Sequence, residues 1–384
     1  MRIAILTTDN REAHRDYARP EPLPGYAPAA LLQGFALVPE AEIHMVSCLR
    51  QPVNSPKKIA PNIYYHSLLV PKIGWLRTGY LGCVRATRKK LREIRPDIVH
   101  GQGTERDCGI SAVCSGFPNV LTIHGNMKAI AEVYRARIGS FHWLTARLET
   151  FALGRTAGVF CNSAYTEKLV APRTEKIWRV PNALRAEFFE PLPERKSGST
   201  PILLNIGVIE PRKQQLELLH VARRLHGRGL KFQLQFAGDR VTHSDYGRRF
   251  TRELAAAEKA GYARHRGLLP TPQLIAAMDA ADALVHFPSE EAFGLVVAEA
   301  LARNLKLFAA ATGGVVDIIA GVADTESFAA ADFAGLENAL ARWLAAGCPP
   351  PSDAAGLMRA RYHPKIVAQR HLEIYREVLA AQSR

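Results

Sequence analysis

Glu291 and Glu299 stand in the run Pro288-Ser289-Glu290-Glu291-Ala292-Phe293-Gly294-Leu295-Val296-Val297-Ala298-Glu299-Ala300, with seven residues between them and a Phe-Gly pair in the middle. Carboxylates on either side of a tight turn can each accept paired hydrogen bonds from vicinal hydroxyls, such as those of a ribose and a second sugar. The flanking residues indicate what could lie between them. Ala281 to Phe287 is a short, largely apolar run of the kind buried in a parallel sheet, and Leu295 to Arg303 has helix formers at apolar spacing. A helix opening just past Gly294 would aim its free backbone N–H groups at the turn, and such a helix start attracts phosphate. A pyrophosphate held there would have a hydroxyl-bearing ring on each side. Taken alone, the pair is equally well accounted for as two solvated charges on a helix and its leading loop.

The elements that must position these residues belong to a chain of 384 residues, 47% hydrophobic, which exceeds what one core usually supports and predicts two domains. Six scattered cysteines form no Cys-x-x-Cys pair, which argues against zinc ribbons and a disulfide framework and fits a reducing cytoplasm. The opening Met1-Arg2-Ile3-Ala4-Ile5-Leu6-Thr7-Thr8-Asp9 reads as a first strand, not a signal peptide, and no apolar stretch is long enough to predict a membrane span. The formal charge of +14 points to anionic partners. It is concentrated at Arg85, Arg88, Lys89, Lys90, Arg92 and Arg95, a run that is either a solvated helix face or a surface for acidic lipid headgroups, nucleotide phosphates or nucleic acid. No nucleic-acid-binding signature accompanies it, so no specific nucleic-acid partner is expected.

Strand-like runs alternate with helical patterns along the whole chain, as βα units require. Arg2 to Leu6, Glu42 to Val46, Ile63 to His66, Asp97 to His100, Asn119 to His124, Gly158 to Asn162 and Ile177 to Val180 form a first series. Ile202 to Ile206, Lys231 to Ala237, Tyr262 to Gly267, Ala283 to Phe287 and Lys306 to Ala310 form a second. Between them, Glu187 to Thr200 loses periodicity and gathers Pro191, Pro193, Gly198 and serines. The predicted organisation is an α/β domain over 1–190, a linker at 191–200, a second α/β domain over 201–362 and a closing helix in 363–384 that packs back on the first domain.

With these elements in place, the chain resembles the retaining glycosyltransferases of family 4. The resemblance rests on the order of its motifs: Asp97-Ile98-Val99-His100, Thr122-Ile123-His124-Gly125, Asn162-Ser163, Val180-Pro181-Asn182-Ala183, then Asn205-Ile206-Gly207, Phe236-Ala237-Gly238-Asp239, His265-Arg266-Gly267, the paired glutamates, and Thr312-Gly313-Gly314. It implies the GT-B architecture, two Rossmann-like βαβ domains facing a central cleft, and a nucleoside diphosphate sugar, UDP- or GDP-linked, as donor with no further cofactor and no metal. It implies that Glu299 binds the ribose diol, that Glu291 faces the transferred sugar, and that backbone N–H groups at Phe293, Gly294 and Leu295 meet sugar or diphosphate. Beside the tight loop at Gly207, Arg212 and Lys213 would neutralise the diphosphate, and His124 would orient the sugar.

Residue types alone also admit blander roles. A basic pair after a strand is more often surface than site, a strand-end histidine such as His124 or His100 is more often a satisfied core group, and Gly238-Asp239 suits any turn. The chain also departs from the family pattern. Thr7 to Arg19 lacks the usual glycine pair, Val208 stands where an arginine is common, with Arg212 expected to reach back in its place, and Asn304 and Lys306 replace a glycine and a proline. The implied activity is transfer of a hexose-like sugar, with retention, to a glycan, lipid or small-molecule acceptor, in surface polysaccharide or glycolipid synthesis. It would take place in the cytoplasm, with peripheral contact to the inner face of an anionic membrane through Arg85 to Arg95. The competing expectations are a GT-B-like phosphorylase or epimerase, and a non-catalytic nucleotide-sugar or anionic-surface binding protein.

Overall fold

The structure, a computed structural model, describes residues 1–193, 200–239 and 244–382. The linker expected at 191–200 lies largely outside them. The chain divides into two compact units, Met1–Ala186 joined by the C-terminal residues from Arg361 onward, and Glu187–Ala360.

The first unit is built on an eight-stranded sheet of β1 (Arg2–Leu6), β2 (Glu42–Leu49), β3 (Lys58–Ala60), β4 (Ile63–Leu69), β5 (Ile98–Gln102), β6 (Asn119–Ile123), β7 (Val159–Cys161) and β8 (Ile177–Arg179), in the order β3-β4-β2-β1-β5-β6-β7-β8. All neighbours are parallel except β3, which runs antiparallel to β4 at the edge. Period-two alternation assigns each strand's side chains to two faces. Ile3 and Ile5 of β1 join Ile43, Met45 and Phe160 in a cluster that includes Leu372 and Tyr375 of the helix Pro364–Gln382. Ala4 and Leu6 join Val46, Val99 and Leu121 on the opposite face, with Cys83 and Leu91 of the helix Leu81–Ile94. Coverage on both faces is why these strands read as continuous apolar runs.

The second unit carries six parallel strands, β9 (Ile202–Ile206), β10 (Gln233–Ala237), β11 (Ala263–His265), β12 (Ala283–His286), β13 (Lys306–Ala310) and β14 (Glu326–Phe328), ordered β11-β10-β9-β12-β13-β14. Counted from β9 this is 3-2-1-4-5-6, the dinucleotide-fold order, whose reversal point lies between β9 and β12. In such sheets ligands bind outside the carboxyl ends of the strands at that reversal, where the loops after β9 and β12 emerge side by side. The sequence reading lacked two strands. β3 is three residues opening on a lysine, and β14 is Glu-Ser-Phe, so neither edge strand carries an apolar run to announce it. Among the described residues no helix is long and apolar enough to cross a membrane.

Candidate active site

At the reversal point of the second sheet, backbone and side chains from four loops converge. After β9, Gly207 has φ 154, and its N–H donates to Ala237 O at 2.9 Å. A Cβ on Gly238 (φ 147) would fall 2.0 Å from Gly207 O, so a glycine is required at 238 by the close approach of the two loop backbones. The chain then makes a single 3-10 turn, Pro211–Lys213. Ser289 N, from the loop after β12, donates to Arg212 O at 2.9 Å, which stitches the β9 and β12 loops together.

The side chains reinforce that seam. Lys213 Nζ lies 2.5 Å from Glu291 Oε2, and His286 Nε2, at the end of β12, lies 3.2 Å from the same oxygen. Arg212 donates through one terminal nitrogen to Glu210 Oε1 at 2.8 Å and through the other to Glu290 O and Oε2 at 3.2 and 3.3 Å. Burial of Glu291 works against its charge, but the hydrogen bond with His286 and the cation of Lys213 outweigh it and hold the carboxyl well below the usual range. Burial lowers His286, so it stays a neutral imidazole that donates its Nε2–H. Burial also opposes the charge of Arg212, and the carboxylates of Glu210, Glu291 and Glu290 more than restore it, leaving it firmly protonated.

The loop after β13 clamps Glu291 from the other side. Gly314 N donates to Glu291 O at 3.0 Å, and a Cβ on Gly313 would lie 1.7 Å from that oxygen. Gly294, at φ 97, is the cap from which the helix Leu295–Ala302 starts. Glu299 is the fifth residue of this helix and is buried, as is the Phe293 side chain, while Leu295 is half-buried. Gly207, Arg212, Lys213, Glu291, Phe293, Gly294, Leu295 and Glu299 thus all belong to one end of one sheet. His286 was missed by sequence reading, because its only signal is a polar residue closing an otherwise apolar strand.

In the first unit His124 follows β6 directly, its Nε2 2.9 Å from Gln102 Oε1, and burial pushes the imidazole down to about 4. The next residue, Gly125, donates its N–H to Glu105 Oε1 at 2.9 Å. Burial raises the Glu105 carboxyl to about 7. Fully buried Glu149 braces the same loop, accepting from Met127 N, Lys128 N, Thr104 Oγ1 and Arg173. Neither glutamate carries a sequence motif. His100 is a core group: it meets Tyr375 Oη and Thr122 Oγ1 and stacks on Phe160 and His371.

Where the family's glycine pair is absent, the loop after β1 is organised instead by the fully buried ion pair of Asp9 and Arg11. Arg11 binds Arg19 O, Pro20 O, Ser55 Oγ and Tyr65 Oη, and Asp9 also accepts from Leu23 N, so the loop folds around one guanidinium. Among the described residues, the one group of side chains arranged to hold a metal is Cys48, Cys83 and Asp107, buried in the first unit with ligand atoms within 4.8 Å of one another. Its thiols form part of the core packed under the helix Leu81–Ile94.

Comparison with known proteins follows the same division. The family model for glycosyl transferases group 1 matches residues 189–349, and that for glycosyltransferase family 4 matches residues 39–188. No curated protein sequence matches the chain. Among solved structures, it is similar to sucrose-phosphate synthase from Thermosynechococcus elongatus, at 19% identity and a TM-score of 0.76 over 99% of this chain and 100% of the other. It is similar to Anabaena HepE in complex with UDP and glucose, at 14% identity and TM-score 0.72 over 98% and 100%, and to the lipopolysaccharide outer core galactosyltransferase WaaB, at 16% and 0.67 over 98% and 100%. Adjoining family matches across both halves, and two parallel α/β units shared with these structures, make this chain a group 1 glycosyltransferase of the GT-B type.

Proposed function

We propose that the protein transfers a sugar, with retention and without a metal, from a nucleoside diphosphate sugar to an acceptor hydroxyl in glycolipid or polysaccharide synthesis. The observation that carries this reading is the charge-matched seam of Lys213, Glu291, His286 and Arg212 at the reversal point of the second sheet. At rest each cation lies on a carboxylate. A bound diphosphate offers a competing anion, and Arg212 and Lys213 then face a leaving group whose negative charge grows in the transition state. Two such cations can supply the neutralisation a divalent ion would otherwise give.

Glu291 is held as an anion, which suits a double hydrogen-bond acceptor for sugar hydroxyls. It is unsuited to the general acid of a glycoside hydrolase, which needs a raised carboxyl. Glu299 takes the ribose diol and His124 orients the sugar through a neutral imidazole. The donor is UDP- or GDP-linked, and the UDP bound by Anabaena HepE favours uridine.

A thermal-shift screen of nucleoside diphosphates and their sugars, followed by turnover with chelator present, tests the reading. Glu299→Ala is expected to raise the donor KM and Glu291→Ala to abolish turnover. Unchanged turnover in both variants defeats the site assignment, and donor binding without transfer to any acceptor in a broad panel returns the chain to a binding protein.

A further inference from the structure

Three residues past His124 the chain enters two helices packed on one another, Met127–Val133 and Phe141–Leu153, capped by the side chains of Asn126 and Ser140. Their connection departs from ordinary protein surface. Val133, Tyr134 and Ile138 are 74, 60 and 85% exposed, and Phe141 and Phe151 are exposed as well. Isolated exposed apolar side chains need no explanation, but a contiguous group of them does. Here two of them are joined through one ring and the others lie close by in the chain: Tyr134 stacks on His142 with ring centroids 5.1 Å apart, and Phe141 meets the same ring edge-on at 5.2 Å, with Val133 and Ile138 in the same connection.

The two helices and the residues flanking them also carry five exposed cations, Lys128, Arg135, Arg137, Arg147 and Arg155. Glu132 is the one exposed acid of the segment, since Glu149 is fully buried and bound to Arg173. Arg147 lies over the Trp143 ring and Arg155 over the Phe151 ring, so their stems pack on aromatic surface while the charges face solvent. Lys128, Glu132, Arg135, Trp143 and Arg147 line a cavity of about 560 Å³ between the helices.

We infer that this helical hairpin docks the protein on a bilayer surface carrying anionic headgroups, with Val133, Tyr134, Ile138 and Phe141 entering the interface and the cations meeting lipid phosphates. Apolar insertion combined with basic neighbours is the signature of interfacial binding. A second copy of the chain on this patch would set five cations against five, which like-charge repulsion opposes. Soluble phosphate would leave the apolar side chains in water. The basic helix Leu81–Ile94, to which the sequence assigned membrane contact, turns Cys83, Leu91 and Ile94 into the core and exposes Leu81 alone among its large apolar side chains. As a corollary, which rests on the proposed transferase activity, the acceptor is carried by a lipid. The docking itself stands apart from that activity and needs no turnover to test.

The test is flotation of the full chain with phosphatidylcholine vesicles, with and without phosphatidylglycerol, at low and high salt. The wild type is expected to float with the anionic vesicles alone and to detach as salt rises. Val133→Asp with Ile138→Asp should stay unbound, and Arg135→Gln with Arg137→Gln and Arg147→Gln should lose on the order of 100-fold in apparent affinity, from about fivefold per cation. Both variants should melt at the wild-type temperature, because the replaced side chains are exposed. The inference is overturned if the wild type remains with the soluble fraction, or if either hairpin variant floats like the wild type. It is also overturned if Lys89→Gln with Lys90→Gln and Arg92→Gln is the more damaging change, or if light scattering shows the aspartate pair splitting a dimer while flotation is unchanged.

Discussion

The surroundings of the Glu105 carboxyl oppose its charge, and replacing it by glutamine yields a prediction of definite sign. Its Oε1 accepts the Gly125 N–H at 2.9 Å, and a Cβ on Gly103 would fall 2.2 Å from its other oxygen, so the carboxyl is wedged between the ends of β5 and β6. Burial raises it from 4.5 to about 7, with the neighbouring Glu149 adding to the rise and backbone N–H donors opposing it. The native state therefore holds this proton more tightly than the unfolded chain does. Stability falls as pH climbs through the window between those two values and levels off above it. Each tenfold difference in proton affinity between the two states is worth about 1.36 kcal/mol, so the wild type loses roughly 1 kcal/mol by pH 5 and roughly 3 kcal/mol by pH 8, as upper figures. Glutamine keeps an acceptor for Gly125 and carries no charge. The stability of Glu105→Gln relative to wild type should therefore rise by about 2 kcal/mol between pH 5 and pH 8, read from urea midpoints at the two pH values with unchanged slopes. Parallel pH curves for the two proteins, or a gap that narrows as pH rises, would refute the reasoning. A carboxyl retained at such a cost beside His124 marks a candidate working group, so a more stable Glu105→Gln with slower transfer would be a trade of activity for stability.

Three further outcomes follow from the geometry. Arg11→Met should destabilise the first unit by about 3–5 kcal/mol, because it strands the buried Asp9 carboxylate, and adding Asp9→Asn should recover most of the loss, both seen in denaturant midpoints. Gly313→Ala should abolish donor binding in calorimetry and lower the melting temperature, since its Cβ would lie 1.7 Å from Glu291 O at a φ of 53; full donor affinity in this variant would detach Glu291 from the donor site. Tyr375→Phe should cost about 1–3 kcal/mol by leaving His100 Nδ1 without its hydroxyl partner, yet leave kcat and KM unchanged; a selective fall in kcat would contradict the core role of His100.

What could be read from the sequence and what could not divide along a physical line. Strands buried on both faces, such as Ile98–Gln102 and Ala283–His286, announce themselves as apolar runs, and their alternation with helices suffices for two βα sheets. The turn at Gly294 was legible too, because a glycine ahead of a helix is a local event. Partnership between loops is not local. That Lys213 meets Glu291, and that Glu105 lies beneath Gly125, depends on β12 pairing with β9 and β6 with β5, which separates the partners by many residues in the chain. Arg212 illustrates the difference. From sequence it was expected to reach back toward the position after Gly207, and it does turn back as far as Glu210, but its second terminal nitrogen crosses to Glu290 on the neighbouring loop. Its backbone carbonyl simultaneously takes the Ser289 N–H. At rest, then, Arg212 ties together the two loops between which a phosphate would have to settle. In the proposed function donor binding exchanges those carboxylates for phosphate oxygens, and that exchange, invisible in a linear motif, is where the affinity of the site would be set.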